Sequence, residues 1–150
     1  MISSQMLSQI DLFEGIPEGN LAAIAEISEE ITYTKGRPVF IEGSEAEYVY
    51  ILLEGEVVIQ VSLTSRSDNI SVAVINLPNQ SFGWSGIIPP YHYTASALCK
   101  TGCRLLAIHG KKLIQVLQQE PKSGFVVMQR ISELIGRRLR NSRIALLKTL

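Results

Sequence analysis

From Glu30 to Ile108 short β-prone runs alternate with glycine-bearing turns at intervals of about ten residues, and no helical segment separates them. Ile31 and Tyr33 lead into the turn Lys35-Gly36, and Val39-Phe40-Ile41 is closed by Glu42-Gly43-Ser44. Tyr48 to Leu53 forms a continuous apolar run that Glu54-Gly55 punctuates before Glu56 to Val61 resumes it. Thr64 to Asn69 reads as a hairpin loop, Ser71 to Ile75 as a strand and Leu77-Pro78-Asn79-Gln80 as a turn. Strands return over Tyr93–Cys99 and Arg104–Ile108. A doubly wound sheet needs helices between its strands, so this pattern predicts an antiparallel roll or barrel. One segment interrupts it: Ser81 to Pro90 has room for a single helical turn before Pro89 and Pro90 stop it.

Helical periods appear only at the two ends. Leu7, Ile10, Leu12 and Phe13 cluster, and Pro17 near a first turn opens a short amphipathic helix predicted over residues 18–29. After the last strand, Gly110 opens a helix over Lys111–Gln119 with Leu113, Ile114, Val116 and Leu117 on one face. Pro121 separates it from a final helix, roughly Ser123 to Lys148, whose apolar positions fall at spacings of three and four. A helix of about 25 residues is about 37 Å long, more than a small roll covers. Its stripe is therefore expected to pair with a second copy in a parallel homodimer through Met128, Ile131, Ile135 and Leu139. The other possibility is a helix folded back onto its own domain. The expected units are residues 1–121, the roll with its N-terminal helices, and 122–150, the dimerisation helix.

Composition closes off several classes of function. With 46% hydrophobic and 19% charged residues, the 150-residue chain is globular. No apolar run approaches the ~20 residues of a membrane span, and the opening MISSQMLSQIDLFEG lacks the features of a secretory signal, so the expected compartment is the cytoplasm. Cys99 and Cys103 with His92 and His109 do not form the two close pairs of a zinc site, and buried or half-buried thiols are expected, with no metal or cofactor. No phosphate-binding P-loop, H-E-x-x-H pair or G-x-S-x-G elbow is present, and the glutamates cluster in or beside turns, so an enzyme is not expected. The formal charge of zero conceals an asymmetry: residues 1–60 carry eleven acids against two bases, residues 61–150 three acids against twelve bases. The basic excess is densest from Arg130 to Lys148, where it reads either as a solvated helix face whose cations suit a helix C-terminus or as a nucleic-acid contact.

Residues as well as element order resemble the cyclic-nucleotide-binding domain of the catabolite activator family. LFEGIPEGNLAAIA at 12–25 resembles its first helix, and Gly36 through Glu42-Gly43 to YVYILLEGEVVI at 48–59 resembles its glycine-turn strands. Phe82-Gly83 stands where the phosphate-binding cassette begins, and HYTASALCKTGCRLLAI at 92–108 is similar to the strand that follows. The resemblance covers nearly the whole chain. It implies a mainly β fold with flanking α: a jelly-roll (double-stranded β-helix) with N-terminal helices and a long C-terminal helix. It also implies a non-enzymatic regulatory role. Relatives continue into a helix-turn-helix, and this chain stops at Leu150, so operator binding is not expected.

In that family the cassette reads F-G-E and the following strand R-[ST]-A. The carboxylate takes the ribose hydroxyl and the arginine takes the phosphate. The resemblance places Trp84 at the carboxylate position and Tyr93 at the arginine position, while Thr94 and Ala95 match. A buried hydrogen bond to a charged group is worth about 1.5–3 kcal/mol, so two lost contacts lower cyclic-nucleotide affinity by roughly two to four decades. The candidate ligand-binding residues are Phe82, Gly83, Trp84, Ser85, Gly86, Tyr93, Thr94 and Ala95. Trp84, Tyr91, His92 and Tyr93 lie within ten residues, which suggests either a pocket remade to take a planar, nucleotide-like molecule or a pocket filled by its own rings. The first reading is a sensor for a small ligand other than ordinary cyclic AMP. The second is a ligand-free scaffold that docks a partner protein through its basic C-terminal helix.

Overall fold

The computed structural model describes residues 2–62 and 69–150, so the predicted loop at Thr64–Asn69 lies, apart from Asn69, outside the described residues. Helix α1 (Ser4–Ser8), a 3₁₀ turn (Asp11–Phe13) and α2 (Glu18–Glu26) open the chain. The strands are β1 (Ser28–Tyr33), β2 (Pro38–Phe40), β3 (Tyr48–Glu54), β4 (Val57–Ser62), β5 (Asn69–Ile75), β6 (Ser81–Phe82), β7 (Ser96–Cys99) and β8 (Cys103–His109). A second 3₁₀ turn (Trp84–Gly86) follows β6, and α3 (Gly110–Gln119) and α4 (Pro121–Lys148) close the fold. The strands form two antiparallel four-stranded sheets, ordered β1-β8-β3-β6 and β2-β7-β4-β5. The expected jelly-roll is formed.

Why β3 and β8 are apolar without alternation follows from their place. Tyr50 and Leu52 of β3, with Leu105 and Ala107 of β8, face the second sheet. Val49 and Ile51, with Leu106 and Ile108, face the helices on the other side. A strand buried on both faces reads as a continuous hydrophobic run. The helical layer contributes Leu7, Ile10, Phe13, Ile24, Leu113 and Val127 to the second of these cores, all fully buried.

Several boundaries differ from the sequence expectation, and three of them have a clear physical cause. Helix α2 stops at Glu26, not at residue 29, because Ser28 already pairs with Ile108 and its hydroxyl donates to the Ile24 carbonyl at 2.6 Å. Strand β7 starts at Ser96, not Tyr93: residues 91–93 bond instead to the loop at 43–46, with Gly43 N donating to Tyr93 O at 2.7 Å and Tyr93 N donating to Ser44 O at 2.9 Å. Helix α4 starts at Pro121, which sits in the first turn where its missing N–H costs nothing.

The 28 residues of α4 span about 42 Å. Val127 and Ile131 are buried in the helical core, whereas Met128, Ile135 and Leu139 are exposed. Ile131 is therefore no partner-facing residue: it is 1% exposed and packs into its own domain. Among the described residues no helix is long and apolar enough to cross a membrane. The thiols of Cys99 and Cys103 are free and buried. Truncating Ile131 to Ala should cost about 2–5 kcal/mol, as for other fully buried aliphatic side chains. A urea midpoint equal to that of the parent protein would contradict this placement.

Candidate functional site

The interruption between β6 and β7 is built on close backbone approaches. Gly83 has φ +73°, and a Cβ there would lie 3.2 Å from both the Phe40 and Tyr50 rings, so glycine is required on two counts. Gly86 lies against β3, where a Cβ would fall 2.7 Å from the Tyr48 carbonyl oxygen. A Cβ on Gly110, the first residue of α3, would fall 2.0 Å from the Gly86 carbonyl oxygen. Phe82 is fully buried between the sheets. Phe82 and Gly86 thus shape the segment from behind and do not line its cavity.

Trp84 and Tyr93 take different environments. The Trp84 ring packs in the helical core, and its Nε1 donates to the Ser81 hydroxyl at 2.9 Å. The guanidinium of Arg138 on α4 lies over this ring, 4.4 Å from its centroid. Tyr93 packs between the sheets, stacked on Phe40 with 3.8 Å between centroids and 10° between planes. Its hydroxyl donates to the Tyr48 carbonyl at 2.7 Å and accepts from the Tyr48 N–H at 3.3 Å. That hydroxyl is spent on the backbone. Burial pushes the Tyr93 phenol up to about 12, with the hydrogen bond donated by the Tyr48 N–H acting in the opposite direction, and burial raises Tyr50 as well.

A cavity of about 310 Å³ remains between this segment and α4. Six of the predicted residues line it: Gly83, Trp84, Ser85, Tyr93, Thr94 and Ala95. The rings therefore fill the space between the sheets without filling the space under the helix. Tyr91 and His92 do not line the cavity: His92 is exposed, with Nδ1 2.9 Å from the Pro90 carbonyl oxygen. Phe40, Ile59 and Ile88 complete the roll side of the wall, and Ile135, Arg138, Leu139 and Ser142 cover it from α4. Ile135 and Leu139, predicted as dimer contacts, belong to this cover. The signal for them was the i, i+3, i+4, i+7 spacing of 135, 138, 139 and 142, which marks one helix face without saying what lies beneath it.

The basic residues of α4 do not form one solvated face. Arg130 Nη1 donates to the Leu12 carbonyl at 3.1 Å, Arg137 pairs with Glu133 at 3.0 Å, and Arg138 turns inward over Trp84. Arg140, Arg143 and Lys148 remain exposed. Among the described residues no group of three or more His, Cys, Asp or Glu side chains is arranged to hold a metal ion.

The family model described as cyclic nucleotide-binding domain matches residues 30–120. A solved structure from Geobacter metallireducens GS-15, named for cyclic nucleotide binding, is 33% identical, with a TM-score of 0.81 over 93% of this chain and 99% of that one. Thermus thermophilus catabolite activator protein shares the fold at 21% identity and a TM-score of 0.72, over 90% of this chain and 61% of that one. A CRP-like cAMP-activated global transcriptional regulator of Mycobacterium tuberculosis is 24% identical over 138 residues, 92% of this chain and 59% of the regulator's length. The chain thus spans about three-fifths of that relative.

The raised Tyr93 value has a consequence for alkaline stability. An unfolded tyrosine ionises near 10, and the folded one near 12. Between these values the unfolded state has released the proton that the folded state keeps, so stability falls as pH rises. The contribution is whole below about pH 10 and disappears toward pH 12. Tyr93→Phe should flatten this decline, measured as urea midpoints across that range, and an unchanged slope would show that Tyr93 ionises normally in the folded protein.

Proposed function

The chain belongs to the cyclic nucleotide-binding domain family, and from that premise we propose that it is a non-enzymatic regulatory sensor, working in the cytoplasm, whose modified cassette binds a small ligand other than ordinary cyclic AMP. The observation that carries this reading is the half-open cavity of about 310 Å³ between the cassette and α4. Its volume falls within the range of small-molecule sites, and its lining supplies neither a carboxylate for a ribose nor an arginine from the roll for a phosphate. Trp84 and Tyr93, which resemblance places at those two positions, direct their polar atoms to Ser81 and Tyr48.

Signal output in this reading runs through α4, because the same helix covers the cavity and continues beyond the core. A ligand that prefers one helix position over another shifts the population between them. The exposed apolar positions Met128, Ile135, Leu139, Ile144 and Leu147 support pairing of α4 with a second copy. Ile135 and Leu139 also line the cavity, which supports a coupling of ligand and dimer.

Two measurements test the proposal. Calorimetric titration with cyclic AMP and cyclic GMP, with the fluorescence of Trp84, the single tryptophan, followed in parallel, should be silent up to millimolar concentration. Micromolar binding would mean that other groups hold the phosphate. In sedimentation equilibrium the parent protein should be a dimer and the double variant Ile144→Glu, Leu147→Glu a monomer; a monomeric parent protein would remove the dimer from the proposal.

A further inference from the structure

We propose that Arg138, carried to the cavity by α4, holds the negative charge of the ligand, and that the ligand is a small, largely apolar aromatic monoanion of the carboxylate type. This rests on the reading of the cavity as a ligand site given above. The first support is the state of the guanidinium. Its Cζ lies over the Trp84 ring, 4.4 Å from the centroid, and Arg138 borders the cavity from α4. Among the described residues it makes no ion pair within 4.0 Å, while Arg104 and Arg137 both do. None of its five donors meets a protein acceptor among those residues. Burial lowers its pKa, as expected for a cation without a counter-charge. A planar fork with free edges, at the wall of a cavity, matches a carboxylate in a bidentate pair.

The second support is the remainder of the lining. No carboxylate lines this cavity, so nothing in it repels an anion. Asp11 lies on the other side, in a groove of about 480 Å³ that Trp84 and Arg138 also border. The body of the cavity is apolar, formed by Phe40, Ile59, Ile88, Ile135, Leu139 and the Trp84 ring. Polar groups besides Arg138 are few. Ser85, Thr94 and Ser142 bring hydroxyls that bond to no protein group among the described residues. A sugar would leave several of its hydroxyls unpaired against such walls, whereas a ring with one carboxylate would not.

Benzoate, cinnamate and 2-naphthoate, each beside its neutral amide, test the inference by calorimetric titration of the full chain. At least one acid should bind, tenfold or more tighter than its amide. Arg138→Gln should weaken the acid by about ten- to a hundredfold and leave the amide unchanged. Arg138→Lys, which keeps the charge and loses the fork, should fall between. Arg137→Gln, outside this cavity and paired with Glu133, should match the parent protein. Amide binding by the Arg138→Gln protein reports that its cavity is intact. Equal affinity for acid and amide, or a preference that survives Arg138→Gln, would overturn the inference while leaving the cavity in use. No binding of any acid or amide up to millimolar would overturn both the inference and the reading of the cavity as a ligand site.

Discussion

Strands β3 and β8 pair from Tyr48↔His109 to Glu54↔Arg104, and both faces of the pair are buried. On one side the second sheet closes over Tyr50, Leu52, Leu105 and Ala107, and on the other the helices close over Val49, Ile51, Leu106 and Ile108. A register slip of one residue would exchange these two sets and set the tyrosine of one core among the aliphatic side chains of the other. The remaining elements take their positions from this pair. Strand β1 extends it through β8, β6 extends it through β3, and the segment after β6 is seated where Gly86 meets the Tyr48 carbonyl. The site therefore hangs on a double-faced strand pair, while its own loop contributes little regular structure.

Much of this was legible in the residues. The roll followed from short runs with glycine turns, because a chain that reverses every ten residues or so can only lay strands beside one another. The continuous run at Tyr48–Leu53 marked the strand buried on both faces. What escaped the sequence was set by tertiary pairing. Ile27 continues the helical period of Leu21 and Ile24, but the ladder to β8 takes the chain over at Ser28. Tyr93 looks like the first residue of a strand, yet residues 91–93 bond to the 43–46 loop before β7 begins.

The site divides in the same way. Gly83, Trp84, Ser85, Tyr93, Thr94 and Ala95 were found because they are local to one stretch of chain and match a motif. In the sequence Arg138 is only one charge in a basic helix. Its function depends on where α4 crosses the roll, and helical period fixes which residues share a face, not which surface that face meets. The same gap explains Ile131, which belongs to the apolar stripe but lies on the side of the helix turned toward its own core. Within one stripe, burial passes from complete at Val127 and Ile131 to partial at Leu134 and to exposure at Leu139.

The contact between Gly86 and Gly110 joins the end of the 3₁₀ turn to the first residue of α3 with backbone against backbone. A side-chain contact between two elements has rotamers, and these act as a spring that absorbs small displacements. Here there is no side chain to turn, and the Gly110 N–H is further tied to the Glu47 carbonyl at 2.8 Å. The joint is accordingly a bearing without play: the turn that borders the cavity and the helix that leads into α4 are geared to each other through main-chain atoms alone.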